Sequence, residues 1–125
     1  MYYKELDVYK LSIELSDLGW SIYKNIPKNV MYELGNQLFS ALDSVGANIA
    51  EGYGRYHYAD RLRFYYFARG SLCESEHWIE LLYKRNLISK EDYSIFSRKY
   101  KNLSIKLNNY ITSFKSDKQS NITTV

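Results

Sequence analysis

Proline and cysteine are nearly missing from this sequence: one of each in 125 residues, beside only six glycines. An all-β chain of this length turns often, and its turns draw on glycine and proline, so the scarcity points to helices. A single cysteine, Cys73, excludes an intrachain disulfide and suits a reducing compartment. No apolar run approaches the ~18 residues of a membrane span. The opening MYYKELDVYK has no apolar core of the kind a signal peptide uses. The expected setting is cytoplasmic, without membrane association.

Hydrophobic residues make up 46% of the chain, ample for a core, and aromatics 17%, with 14 tyrosines. Tyrosine joins an apolar body to a polar tip and suits half-buried positions and interfaces. Roughly 100–150 residues is the commonest domain size, so one domain is expected. The charge is uneven. Residues 1–54 hold four lysines and seven acids, net −3, and residues 55–125 hold 13 Lys/Arg and seven acids, net +6. A basic second half points to an acidic partner or to ordinary solvated helix faces.

Periodicity divides residues 1–115 into four helices, at about 5–24, 31–54, 58–85 and 90–115. Val8, Leu11, Leu15, Leu18 and Ile22 stripe the first, and Leu34, Leu38, Leu42, Val45 and Ile49 the second. Pro27 separates them. Gly46 lies inside the second helix, where glycine costs about 1 kcal/mol, and so requires a packing reason. The third helix is apolar in almost every direction, including Phe64, Phe67, Leu72, Trp78, Ile79 and Leu82. A helix of that kind is buried on most sides, which predicts another subunit. Asn86–Ser89 breaks the chain, and Ser89 reads as the cap of the fourth helix. Phe96, Tyr100, Leu103, Leu107, Tyr110 and Phe114 stripe that helix. Short connections between such segments give an all-α, antiparallel up-down-up-down four-helix bundle. Residues 116–125 read as a disordered tail.

The stretch Asn48–Glu76 carries a resemblance. Gln37-Leu38, Ser44-Val45, Asn48-Ile49-Ala50-Glu51-Gly52 and Gly54-Arg55, followed by Arg63-Phe64 and Gly70-Ser71-Leu72 with Glu74 and Glu76, resemble the two signature motifs of the four-helix-bundle proteins encoded in 23S rRNA intervening sequences, the S23 ribosomal protein-like family. The resemblance spans roughly residues 4–115. It implies a bundle that assembles into a ring-like homopentamer in bacteria, with a nucleic-acid role. More remotely the chain is similar to the accessory protein of diversity-generating retroelements. Phe39 and Ser40 stand where the family often carries basic residues.

Two sets of residues are candidates for function. Arg55, Tyr56, His57, Arg61, Arg63 and Arg69 cluster with tyrosines near the junction of helices 2 and 3. Arginines bind phosphate and exposed rings stack on unpaired bases, so this is the candidate RNA or DNA surface. Arg98, Lys99, Lys101 and Lys106 on the fourth helix form a second basic face. The rival reading is internal or intersubunit pairing, since Arg63 shares a helix face with Glu74 and Arg69 with Glu76. Ser44, Asn48 and Glu51, with Glu74 and Glu76, read as a structural polar network rather than paired catalytic carboxylates. Glu74-x-x-His77 lacks the second such motif and the further glutamates of a di-iron site, and Cys73 with His77 falls short of a zinc set. No catalytic residue, metal, cofactor or small-molecule substrate is expected. Cys73 reads as an interior thiol.

Overall fold

A computed structural model describes the backbone of residues 2–124 and their side chains except at 29–31 and 118–124. After a 3-10 turn at Tyr3–Glu5 come four helices: α1 (Asp7–Lys24), α2 (Lys28–Gly54), α3 (Tyr58–Lys84) and α4 (Lys90–Thr124). There is no strand among the described residues. Each helix lies beside two others, α1 and α3 both flanked by α2 and α4. The four surround one core that includes Leu15, Ile22, Leu38, Ile49, Tyr65, Leu72, Ile79, Phe96 and Leu107.

The stripes read from the sequence supply most of this core, with shifts. In α1 the buried line is Val8, Ser12, Leu15, Ser16, Gly19 and Ile22, while Leu11 and Leu18 are only half buried. Three of those six are small, so α2 comes close. Gly46 of α2 is part of that approach: a Cβ there would lie 2.9 Å from Ser12 Oγ. The Ser12 hydroxyl is satisfied by donating to the Tyr9 carbonyl at 2.6 Å. Ser16 donates to the Asp43 carboxylate of α2, and Tyr23 donates to Asn36 Oδ1 at 2.7 Å.

In α3 a single line is buried: Tyr65, Ala68, Leu72, Ser75, Ile79 and Leu82, alternating by three and four. The expectation of burial on most sides is therefore not met within one chain. Phe67 is 48% exposed, and Phe64 and Trp78 are half buried. Cys73, read as an interior thiol, is exposed, because it follows Leu72 by ~100° around the axis and leaves the buried line.

The α3–α4 connection is closed by hydrogen bonds. Asn86 takes φ 60°. Its N–H donates to the Tyr83 carbonyl at 3.0 Å, and that of Leu87 donates to the Leu82 carbonyl at 2.9 Å, the pair that defines a Schellman end. Asparagine tolerates this left-handed conformation better than most residues. Ser89 Oγ then accepts from the Asp92 N–H at 3.0 Å and caps α4 as its sequence indicated. α4 continues to Thr124 rather than ending near Lys115. Its apolar stripe stops at Phe114, but neither proline nor glycine follows to interrupt the backbone.

Candidate nucleic-acid interface

The junction of α2 and α3 is built around Gly52 and Arg61. Gly52 is buried, and a Cβ there would fall 2.7 Å from the Tyr65 ring and 3.1 Å from the Arg61 carbonyl. Glycine thus lets α3 lie directly on the end of α2. Arg61 Nε donates to the Gly52 carbonyl at 3.2 Å, and its Nη2 donates to the Tyr65 hydroxyl at 3.1 Å. Its guanidinium also lies 5.3 Å from the Tyr53 ring and 5.0 Å from that of Phe114. Those contacts join three helices, so Arg61, proposed from sequence as a phosphate contact, is a positioning residue in this geometry.

The other arginines are directed outward. Arg55 forms the expected i, i+4 pair with Glu51 at 2.6 Å and keeps 41% of its side chain exposed. Its guanidinium lies 4.7 Å from the Phe64 ring. Arg63 pairs with Asp60 at 3.2 Å, is 54% exposed, and lies over Phe64 and Phe67 at 5.1 and 5.8 Å. Beside them Tyr56 is 92% exposed and meets the exposed His57 edge-on. Arg69 occupies a different face: it lies over Tyr66 at 4.9 Å and donates to Asn108 of α4 at 3.4 Å.

Within one chain the suggested Arg63–Glu74 and Arg69–Glu76 pairs do not form among the described residues. At ~1.5 Å of rise per residue, partners eleven and seven positions apart stand roughly 16 and 10 Å apart along the axis. Sharing a face is not contact. The polar set also divides. Ser44 donates to the Ser40 carbonyl and Asn48 to that of Ser44, both within α2. Glu74 accepts from the Trp78 indole at 3.0 Å, while burial, then Cys73 and Glu76 of α3, raise the pKa of Tyr100 on α4.

The cations of α4 do not share one surface. Arg98 and Lys99 line a hollow with Glu14 of α1. Lys101 lines a groove of about 340 Å³ with Glu76 and Glu80 of α3. Lys106 lies near Glu5 and Asp7. Sequence spacing does not show these acids, because they come from other helices. Among the described residues, no cluster of three or more His, Cys, Asp or Glu could hold a metal, and no helix is long and apolar enough to cross a membrane.

The geometry defines an all-helical, four-helix protein whose exposed arginines overlie aromatic rings. Residues 4–109 match the profile of the 23S rRNA-intervening sequence protein family, and the chain belongs to that family. It is similar to a solved protein from Bacteroides thetaiotaomicron VPI-5482, described as a protein with unknown function from the S23 ribosomal protein family. The two are 26% identical over 83% of this chain and 97% of the other, with a TM-score of 0.75. No curated protein matches the chain.

Proposed function

We propose that this protein is a non-enzymatic, cytoplasmic bundle that self-associates and binds RNA or DNA through the α2–α3 junction. One observation carries the binding: Arg55 and Arg63 flank Phe64 on an exposed face beside Tyr56. Guanidinium groups supply phosphate contacts, and exposed rings supply stacking for unpaired bases. Arg69 lies on another face and the α4 cations stand beside carboxylates, so they add long-range attraction rather than direct contacts. The up-down-up-down arrangement is supported by register, since partners fall along one helix as they rise along the next: Ser16 with Asp43 and Tyr23 with Asn36, then Tyr58 with Phe114 and Tyr83 with Tyr93. The open side of α3 supports self-association, and family resemblance supplies a ring of five.

Titration of the protein with structured RNA at two salt concentrations tests the binding. Phosphate contacts make affinity fall steeply as salt rises. Replacing both Arg55 and Arg63 by alanine should reduce affinity about tenfold or more and flatten the salt slope by about two charges. No binding by the unsubstituted protein at low salt would defeat the proposal. A second reading is an interaction scaffold whose arginines form intersubunit salt bridges, the exposed Arg55 and Arg63 exchanging their local partners Glu51 and Asp60 for carboxylates of a neighbouring copy. It predicts that the double variant loses assembly rather than RNA affinity.

A further inference from the structure

The opposite end of α2 carries an aromatic surface that the arginine cluster does not use. Tyr23 meets Trp20, Phe39 and Tyr32, and Trp20 also meets Phe39, so that four rings cluster with contacting ring centres 5.2–5.7 Å apart. Trp20 and Tyr32 are 45% and 49% exposed. Gly35 lets the cluster seat on α2, because a Cβ there would stand 3.1 Å from the Tyr23 ring. Trp20, Tyr23, Lys24, Ile26, Lys28 and Tyr32 line a hollow of about 200 Å³ beside Gly35. This is below the ~300–1,000 Å³ of sites for drug-sized ligands and suits one planar heterocycle.

Charge narrows the occupant. Lys24 Nζ lies 5.9 Å from the Trp20 ring centre, and Lys28 lines the same hollow. Among the described residues no carboxylate lines the hollow, and neither lysine is in an ion pair. Two cations disfavour an ammonium ligand, which an aromatic pocket would otherwise attract. They favour a flat ring that carries phosphate. The hollow admits one ring, and the exposed Trp20 and Tyr32 at its edge offer faces to flanking bases, which favours a strand over one free nucleotide, since every base has a face that stacks. We propose that this surface binds unpaired bases of a single-stranded nucleic acid, one of them seated in the hollow, with Trp20 and Tyr32 stacking and Lys24 and Lys28 meeting the phosphates. At ~1.5 Å per residue, the 23 positions from Tyr32 to Arg55 separate this site from the arginine surface by roughly 35 Å, so either can exist without the other.

The test is Trp20 emission in the full chain carrying Trp78→Phe, titrated with a ten-nucleotide oligouridylate. Saturable quenching is expected. With labelled oligouridylate read by anisotropy, Trp20→Leu and Tyr32→Ala should each weaken binding about tenfold, while Arg55→Ala with Arg63→Ala leaves the quench in place. Absence of quenching overturns the proposal. So does equal quenching at the same concentration by a duplex, by uridine monophosphate or by polyglutamate, as does loss of the quench in the double arginine variant. If Trp78→Phe perturbs folding, the indole N–H resonance of Trp20 in the unsubstituted chain gives the same reading. Loss of structured-RNA binding with the Trp20 quench intact would defeat the arginine surface alone.

Discussion

Tyr65 is completely buried, yet its hydroxyl accepts from Arg61 and lies 3.2 Å from the Tyr110 hydroxyl. Its ring meets those of Tyr110 and Phe114 edge-on at 5.1 and 5.2 Å. One polar atom thus ties the start of α3 to α4 without leaving an unsatisfied group in the core. Burial, then the Tyr65 hydroxyl, pushes the Tyr110 pKa above its ordinary value. A raised pKa in the folded state means the native protein holds a proton that the unfolded chain releases near pH 10. Stability from this group is complete below that pH and is lost as pH rises above it. Tyr110→Phe should therefore show a shallower loss of stability above about pH 10, by up to one proton per molecule, in urea unfolding across that range. An unchanged alkaline slope would contradict the assignment.

Each helix could be read as a helix, but not always which of its faces would be covered. The α4 stripe from Phe96 to Leu107 was legible because one period dominates it. α3 was harder. Apolar residues surround its axis, and one chain covers only the Tyr65–Leu82 line. The α3–α4 connection was more transparent, because Asn86 and Ser89 act on backbone groups within a few residues. Ser89→Ala removes an acceptor from the Asp92 N–H and should cost about 1 kcal/mol, seen as a lower urea midpoint with unchanged slope. The arginines show the opposite case. Arg55–Glu51 was readable because its partner lies one turn away, whereas the partners of Arg61 come from α2, its own helix and α4, and were not.

At the scale of the whole molecule, the aromatic side of α3 is the feature that a single bundle leaves uncovered. If it is covered by another copy, light scattering should give a mass several times the 14.8 kDa chain. Phe67→Glu, placed where the ring is already half exposed, should then shift the mass toward one chain while circular dichroism keeps its helical signal. A wild-type monomer at working concentration would remove the case for a ring. Charge divides the molecule as it divides the sequence, but folding distributes acids from α1 and α3 beside the α4 cations. The basic face expected of α4 is thereby diluted, and the α2–α3 junction stands out more clearly.

Apolar period, caps and scarce turn formers decide helix number, type and order, because these act over three to seven residues. The motifs around Asn48–Glu76 identify the family for the same reason, being local runs of residues. Only packing decided that Arg61 is held by three helices, that Arg55 and Arg63 project outward, and that Trp20 and Tyr32 stay uncovered. Those outcomes depend on which residues meet across helices tens of positions apart, information that no single stretch of chain contains.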